Sequence, residues 1–322
     1  MTKTTIKTPA AKKPILPKKA KNQRRMPQFF INAFYHSKFK DNLFVVKAGG
    51  KIIEDKKALD NLIADIRSLN HLGIKVLLVY GGGEALDRAV ESRGNGIKRE
   101  NGRRVTDPAT LQIMREVVGG DLSLRVYESM AREYLEGLSL NAVPAEWMRV
   151  VLRPKKPVDY GLVGDIKVVH SRPIRRLFKT YDFVAVACMA WTEKEKKLVN
   201  INADTIATQL AVGSQAHKLI FLSDVDGVQV DGKAVPLITA EQIPDLIASG
   251  KATGGMKVKL ENCAEALKGG VSRIHLINGL RKDALTKEIF EPVGPCTMLI
   301  RESEREHYNN EVAAQMLLEG QK

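Results

Sequence analysis

The chain has 322 residues, of which 44% are hydrophobic and 27% charged, a balance typical of a folded globular protein with one large domain or two lobes. No apolar run approaches the roughly 20 residues that cross a bilayer, and the N-terminus lacks the apolar core of a secretory signal. We therefore expect a cytoplasmic protein without a membrane segment. The net charge of +14 raises the question of a nucleic-acid partner.

Much of this charge lies in the first segment, residues 1–25. Nine Lys or Arg residues and no acidic residue precede Met26, which leaves a net charge of +5 for the rest of the chain. The Lys- and Pro-rich composition predicts a disordered basic tail, with a polyanion-binding arm or a targeting peptide as the alternatives. The remaining body has no basic patch with interleaved aromatic residues, so we expect no nucleic-acid partner for it.

Residues 26–40 form an isolated apolar segment before the first strand. Phe29, Phe30, Ala33 and Phe34 fall at helical spacings and give one apolar face. An apolar helix that has no core of its own is more stable when it is buried between chains. We therefore predict an N-terminal helix that joins the subunits of a homo-oligomer; the alternative is that the same face packs on its own subunit.

From residue 43 onward, short runs rich in β-branched residues alternate with longer amphipathic stretches. This alternation is typical of βαβ units, and it predicts an α/β fold around a parallel sheet. The body is expected to span residues 41–302, followed by a helical C-terminal tail over 303–322. The predicted strands are residues 43–48, 75–80, 183–189, 219–223, 273–277 and 297–301.

Two helices of the body have clear signals. The first is predicted over residues 56–71, where leucine and isoleucine recur every three or four residues until Gly73 ends the helix. The second begins at Pro108 after a capping Asp107, and its apolar face is predicted to continue to Val118.

The cysteines Cys188, Cys263 and Cys296 are three in number and far apart, without CxxC spacing or a histidine cluster. They are predicted to be reduced, buried thiols, and the sequence predicts no metal site.

The chemistry is expected where two predicted strands end in glycines. Lys47 and Ala48 precede Gly49 and Gly50, and the second strand runs into Gly81–Gly82–Gly83. Glycines after a parallel strand let the backbone N–H groups approach an anionic ligand closely. A lysine beside them supplies a positive charge for a phosphoryl group, although neither loop matches the Walker pattern. Tight turns use glycine for steric reasons as well, so each loop alone is weak evidence.

Two later segments supply further charged residues. Asn200 and Asp204 precede one predicted helix, and Met256 and Lys259 follow a diglycine at the start of another. Taken alone, the first is an ordinary helix cap and the second a basic first turn. Because both segments follow the glycine loops in this order, we interpret all four as parts of one site. In that site Asp204 could hold a lysine in place.

Over residues 43–301 the chain resembles the N-acetylglutamate kinases of the amino-acid kinase family, with features of the kinase domain of bifunctional N-acetylglutamate synthase/kinases. The Asn-Gly-x-Arg-Val-Thr-Asp element separates these kinases from the aspartate, glutamate and nucleotide kinases of the same fold. The motifs that carry the resemblance are Lys47-Ala48-Gly49-Gly50, Gly81-Gly82-Gly83, Asn101-Gly102-Arg103-Arg104-Val105-Thr106-Asp107, Gly161-Leu162-Val163-Gly164-Asp165, Asn200-Ile201-Asn202-Ala203-Asp204, Leu222-Ser223-Asp224-Val225-Asp226-Gly227 and Gly255-Met256-Lys257-Val258-Lys259.

The resemblance implies a three-layer αβα sandwich with a mainly parallel open sheet, a substrate lobe up to about residue 180 and a nucleotide lobe after it. It implies transfer of the γ-phosphoryl group of ATP to the side-chain carboxylate of N-acetyl-L-glutamate, in arginine biosynthesis, with Mg²⁺ held through the nucleotide phosphates. The residues it assigns are Lys47, Asp204 and Lys259 for catalysis, Gly82, Gly83, Arg104 and Asn200 for the acyl amino acid, and Gly49, Gly50, Ser223, Asp224 and Met256 for the nucleotide.

The physical chemistry agrees with this assignment. A side-chain carboxylate is already ionised at neutral pH and needs no general base to attack phosphorus. Charge neutralisation by two lysines, Mg²⁺ and backbone donors would then carry the catalysis. The alternative is a silent domain kept as a regulatory or arginine-sensing module, but such domains tend to lose the catalytic lysines and aspartate, which are present here.

The sequence also departs from the family pattern at several places. Tyr80 stands where histidine is usual, and Glu84 stands where proline is common, adding negative charge beside a site for anions. Asp283 replaces a histidine of the arginine-binding pattern, while Glu288 and Gly294 are kept. The resemblance therefore predicts oligomerisation with weak or absent inhibition by arginine.

Overall fold

The computed structural model describes residues 28–230, 233–290 and 296–319. The predicted basic tail and Gly294 lie outside the described residues. Within the part of the chain that is described, no helix is both long and apolar enough to cross a membrane.

The described residues form twelve α-helices. Their bounds are α1 (Gln28–Phe39), α2 (Gly50–Glu54), α3 (Lys56–His71), α4 (Gly83–Ser92), α5 (Pro108–Glu116), α6 (Ser123–Arg132), α7 (Ser171–Leu177), α8 (Ala203–Ser214), α9 (Ile243–Ala248), α10 (Gly254–Lys268), α11 (Ala284–Phe290) and α12 (Arg305–Glu319), with a π-helical segment at Val117–Leu122 and 3₁₀ turns at Ala145–Trp147, Ala240–Gln242 and Glu302–Glu304.

The strands alternate with these helices. Their bounds are β1 (Leu43–Ala48), β2 (Lys75–Tyr80), β3 (Arg99–Glu100), β4 (Arg103–Arg104), β5 (Leu138–Leu140), β6 (Met148–Leu152), β7 (Gly164–Val169), β8 (Phe183–Ala187), β9 (Met189–Thr192), β10 (Lys197–Asn200), β11 (Lys218–Ser223), β12 (Gln229–Val230), β13 (Lys233–Ala234), β14 (Leu237–Thr239), β15 (Arg273–Asn278) and β16 (Thr297–Ile300).

The main sheet has eight strands in the order β14-β16-β15-β11-β1-β2-β8-β5. All neighbouring pairs are parallel except β15 with β16. The inner strands β2, β8, β11 and β15 are buried almost without interruption, as expected for parallel strands covered on both faces. The predicted α/β fold with a mainly parallel sheet is confirmed.

Helices flank this sheet in two groups and complete the αβα layers. Helix α3 packs with α6 and α11, whereas α8 packs with α7 and α10 and lies on β1, β2 and β11. The hydrophobic core is continuous through both layers. The three cysteines are buried and free, as predicted.

A second sheet of four strands has the order β10-β9-β6-β7. The sequence predicted one strand over 183–189, and this is wrong at its end. Strand β8 stops at Ala187, and the chain then enters the second sheet as β9. Cys188 marks the change, because its carbonyl accepts a hydrogen bond from the Ile201 amide at 3.2 Å and not from a neighbour in the main sheet.

The helix that begins at Pro108 starts as predicted, with the Asp107 side chain accepting a hydrogen bond from the Thr110 amide. The α-helical part ends at Glu116, however, and the apolar residues Val117 and Val118 belong to the π-helical segment. The segment contains Gly119, where a Cβ atom would lie 2.7 Å from the end of the Met189 side chain.

Helix α1 exists where the sequence placed it, but its buried face differs from the predicted one. Ile31, Tyr35 and Phe39 are 5%, 3% and 1% exposed, and the Tyr35 hydroxyl donates to the Phe290 carbonyl at 2.8 Å. The helix therefore packs on its own chain through these residues at intervals of four. Phe30, from the predicted face, is 53% exposed.

Candidate active site

Three loops meet at one edge of the main sheet because the strands before them are in register. Ala48 of β1 pairs with Tyr80 of β2 and with Leu222 of β11. The carboxyl ends of these parallel strands therefore lie side by side, where open α/β sheets bind ligands. The glycines after Ala48, the glycines after Tyr80 and the segment after Leu222 are brought together as predicted from the sequence.

The two glycine loops touch each other, and side chains there would separate them. A Cβ atom at Gly50 would lie 3.2 Å from the Cα of Gly82. At Gly82, a Cβ atom would overlap the Leu122 side chain of the π-helical segment. A larger residue at Gly50 would press on the backbone of Gly82, and one at Gly82 would displace the Leu122 side chain, so glycine fits the close packing at these two positions.

The amide groups of these loops have different roles. The Gly49 N–H donates to the Leu222 carbonyl at 3.2 Å, so this amide, predicted to donate to the nucleotide, is used within the protein. Among the described residues, the N–H groups of Gly50 and Gly83 have no backbone acceptor, whereas the Gly82 N–H donates to the Cys188 sulfur. Gly82 and Gly83 open helix α4, where unpaired N–H groups and the helix dipole attract an anion.

Lys47 and Asp204 form a buried ion pair at this edge. Lys47 is the last residue but one of strand β1, and Asp204 is in the first turn of α8. The Nζ atom of Lys47 lies 2.9 Å from Oδ1 of Asp204. The side chain of Asn202 caps α8 by accepting from the Asp204 and Thr205 amides, which fixes the position of Asp204.

Lys259 brings a second positive charge to the same carboxylate from helix α10. Burial lowers the pKa of Lys259, as does the positive charge of Lys47, while Asp204 opposes the change. Burial would raise the pKa of Asp204, but the charges of Lys47 and Lys259 hold that pKa below its ordinary value. Asp204 is therefore ionised at neutral pH between two lysines, as the resemblance implied.

Arg104 is held in place by two partners on helix α4. One guanidinium nitrogen pairs with Asp87, and the other donates to the Gly83 carbonyl at 2.9 Å. Burial would raise the pKa of Asp87, but hydrogen bonding to Arg104 and the charges of Arg104 and Arg99 lower it. Asp87 thus orients Arg104 toward the second glycine loop. Sequence reasoning missed Asp87, although its position four residues after Gly83 placed it on the same side of the helix.

Asn200 is positioned through the Asn101–Asp107 element. Its side-chain amide donates to the Thr106 hydroxyl at 3.0 Å, and its backbone N–H donates to the Leu162 carbonyl at 3.0 Å. Gly161, with φ of 70°, lies so close to the Thr106 carbonyl that a Cβ atom would overlap it. The Gly161–Asp165 motif therefore braces both Thr106 and Asn200.

A cavity of about 310 Å³ lies among these residues. Of the predicted residues, seven line it: Lys47, Gly50, Gly82, Gly83, Arg104, Asn200 and Asp204. The other five predicted residues lie beside it and are not among its lining: Gly49, Ser223, Asp224, Met256 and Lys259. The lining also includes three arginines that sequence reasoning did not select: Arg99, Arg103 and Arg153.

Lys51 is a further residue that sequence reasoning missed. Its Nζ lies 2.6 Å from Asp224 and 3.4 Å from Glu84. The negative charge of Glu84, a departure from the family pattern, is therefore partly balanced by Lys51. The available signal was a charged residue directly after each glycine loop, Lys51 after Gly50 and Glu84 after Gly83.

Away from the cavity, the structure brings His275, Glu288 and Cys296 together with candidate ligand atoms within 4.8 Å of one another, which the sequence did not predict. The group is internally bonded, because Glu288 lies 2.7 Å from the imidazole Nδ1 and Lys218 Nζ lies 3.1 Å from Nε2. A lysine N–H donor at that distance competes with a cation for the same ring nitrogen. We therefore treat the group as a buried polar cluster.

Comparison with known proteins identifies the class. The profile of the amino acid kinase family matches residues 42–278. The chain belongs to the amino acid kinase family.

Within that family, its relatives are acetylglutamate kinases. The enzyme of Halothermothrix orenii is 34% identical over 274 residues, which cover 83% of this chain and 94% of that protein. The enzyme of Methanobrevibacter smithii is 31% identical over 284 residues, which cover 83% of this chain and 96% of that protein. The resemblance drawn from the sequence motifs is confirmed.

Solved structures support the fold. N-acetylglutamate synthase of Neisseria gonorrhoeae, in complex with coenzyme A and N-acetyl-glutamate, superposes with a TM-score of 0.76 at 24% identity, covering 85% of this chain and 63% of that chain. Carbamate kinase of Giardia lamblia bound to AMP-PNP superposes with a TM-score of 0.57 at 14% identity, covering 81% and 99%.

Proposed function

We propose that this protein transfers the γ-phosphoryl group of ATP to the side-chain carboxylate of N-acetyl-L-glutamate, forming N-acetyl-L-glutamyl 5-phosphate. The observation that carries the proposal is the placement of Lys47, Asp204 and Lys259 beside two glycine loops at the carboxyl edge of the sheet. These residues would be dispensable in a silent regulatory domain, so their arrangement favours an active kinase.

In this mechanism the protein neutralises charge and aligns the reactants. The acceptor carboxylate attacks the γ-phosphorus, the bond from that phosphorus to the bridging oxygen breaks, and ADP leaves. Lys47 and Lys259 offset the negative charge of the phosphoryl group in transit, while Asp204 holds them in position. The N–H groups of Gly50 and Gly83 add donors that need no reorganisation.

Arg104 would bind the α-carboxylate of the substrate. Its guanidinium group has five N–H donors in a fixed fork, and Asp87 and Gly83 use one edge. The remaining donors suit a carboxylate, and Asn200 beside Thr106 offers an amide for the acetylamino group. Arg99, Arg103 and Arg153 add positive charge to the cavity that receives this dianionic substrate.

A magnesium ion would be held through the nucleotide phosphates, not by protein carboxylates. Asp204 is the one carboxylate among the described residues that line the cavity, and its charge is already balanced by lysines. When bound to ATP, Mg²⁺ neutralises phosphate charge and so lowers the barrier to attack.

The test is ATP-dependent formation of an acyl phosphate, trapped as its hydroxamate. The wild type is assayed with N-acetylglutamate, glutamate, aspartate and N-acetylaminoadipate, and the highest kcat/KM is expected with N-acetylglutamate. Nucleotide binding without hydroxamate from any of the four acceptors would instead identify a silent module. A higher kcat/KM with another of the four acceptors would support the kinase activity but identify a different substrate.

We also propose that the protein is a cytoplasmic homo-oligomer, joined in part through helix α1. The inward face of α1 is packed on its own chain, whereas Phe30 and Ala33 lie on the outer side. Phe30→Glu with Ala33→Glu should therefore lower the mass measured by light scattering while Ile31, Tyr35 and Phe39 keep the helix docked. An unchanged mass would reject α1 as a subunit joint.

A further inference from the structure

Lys51 lies where three elements of the candidate site meet. It is the second residue of α2, directly after Gly50, which lines the cavity. Its ammonium group contacts Asp224 in the loop after β11 and Glu84 in the first turn of α4. One side chain therefore joins the first glycine loop to the second one and to the loop that follows β11.

The group formed by Lys51, Glu84 and Asp224 carries a net negative charge. Glu84 and Asp224 contribute two negative charges and Lys51 one positive charge. Hydrogen bonding to Asp224 raises the pKa of Lys51, and hydrogen bonding to Lys51 lowers the pKa of Asp224, so both are charged at neutral pH. Two carboxylates beside a triphosphate site would repel the ligand, and Lys51 is the group that offsets them.

The group is also exchangeable, unlike the buried ion pair deeper in the site. The side chains of Lys51 and Glu84 are 49% and 56% exposed, and ion pairs at such exposure contribute little to stability. The side chains of Lys47 and Asp204 are each 13% exposed. A ligand with several negative charges can therefore replace the partners of Lys51 at small cost.

This inference rests on the proposed function, because it concerns how the same site takes its nucleotide. We propose that Lys51 is a further nucleotide-binding residue, which turns from Glu84 and Asp224 to the β- and γ-phosphates when ATP binds. Glu84 is its counter-ion in the free protein. The carboxylate of Glu84 beside the glycine loop is offset because Lys51 accompanies it.

The experiment compares nucleotides that differ in phosphate number. Dissociation constants for ATP, ADP and AMP are measured by calorimetry with Lys51→Met, with Lys51→Arg, and with Lys56→Met as the matched control, since Lys56 is an exposed lysine in the next helix that pairs with Asp60 at 2.8 Å. Lys51→Met should weaken ATP and ADP binding about tenfold and leave AMP within twofold, because a charge-assisted contact to the β-phosphate is lost. Lys51→Arg should stay within about threefold of the wild type.

The variant Glu84→Gln should change the affinity for ATP in the opposite direction. Removing a carboxylate that competes for Lys51 and repels phosphate should tighten ATP binding about threefold. Unchanged ATP binding in Lys51→Met, equal weakening of ATP and AMP, or weaker ATP binding in Glu84→Gln would each overturn the proposal. The titrations require only nucleotide binding, so they decide the role of Lys51 even if the wild type forms no acyl phosphate.

Discussion

Two groups of charges flank the same glycine loops, and they differ in burial. Lys47, Asp204 and Lys259 place two positive charges around one negative charge inside the protein, whereas Lys51, Glu84 and Asp224 place one positive charge between two negative charges near the solvent. In the buried group the geometry is fixed before any ligand arrives, which suits stabilisation of a transition state. In the exposed group the partners are interchangeable, which suits capture and release of a nucleotide.

The largest effect is expected when the buried group loses a positive charge. Lys259→Met should lower kcat by about 10²–10³, the usual cost of removing one preorganised charge or donor, while the dissociation constant for ATP changes little. Asp204 keeps Lys47 as a partner, so the variant should fold. The hydroxamate assay and calorimetry measure the two effects, with Lys56→Met as control; near-normal turnover of Lys259→Met would remove the catalytic assignment.

A smaller and selective effect is expected at Arg104, the residue proposed to bind the α-carboxylate of the substrate. Arg104→Lys should raise the KM for N-acetylglutamate about 10- to 100-fold, because an ammonium group cannot replace a bidentate guanidinium contact with a carboxylate. The KM for ATP should stay within about twofold. Arg93→Lys is the matched control, since Arg93 is an exposed arginine that pairs with Glu116 at 2.6 Å and does not line the cavity. Equal increases in both KM values would show that Arg104 is not the substrate clamp.

The smallest effect is expected for Lys218, a lysine buried away from the cavity, and it concerns the pH dependence of stability. Burial, with the positive charge of Arg273, lowers the pKa of Lys218 to about 7. In the unfolded chain Lys218 keeps its ordinary pKa near 10, so the unfolded state binds more protons between these values and stability rises with pH there. At lower pH both states are protonated and this gain is absent.

Thermal melting tests this pH dependence. From pH 7 to pH 9, the Tm of the wild type relative to that of Lys218→Met should rise by about 5 °C, since one pKa unit corresponds to about 1.4 kcal/mol. A parallel response of the two proteins would show that Lys218 is charged in the folded state. The exposed Lys56→Met variant should follow the wild type throughout.

The same contrast in burial explains what the sequence could predict. The bounds of β1, β2 and α3 were predicted correctly, because continuous burial of a strand or one apolar stripe on a helix leaves a local pattern. The glycine loops and the Lys47–Asp204 pair also lie together as predicted, since they follow strands whose register is fixed by the main sheet. The division into lobes stays a prediction.

Other features depend on contacts that no local pattern records. The second sheet was missed because its strands are only four to six residues long and mix buried with exposed positions. The pair that joins its two hairpins, Val150 of β6 with Thr192 of β9, links residues far apart in the chain. On α1 both sides are apolar, and the position of Phe290 decides which one is buried. The role of Lys51 depends on partners 33 and 173 residues away, so it follows from the tertiary structure alone.

The position of β1 in the sheet also has a consequence for how the protein is made. Its two neighbours are β2, which follows closely in the chain, and β11, which is about 170 residues further along. At a synthesis rate of about 5–20 residues per second, β11 leaves the ribosome roughly 10–30 seconds after β1. During that interval one hydrogen-bonding edge of a strand that is apolar except for Lys47 is open, which favours pairing with another nascent chain. Chaperone protection during translation should therefore matter more for this protein than its final stability suggests.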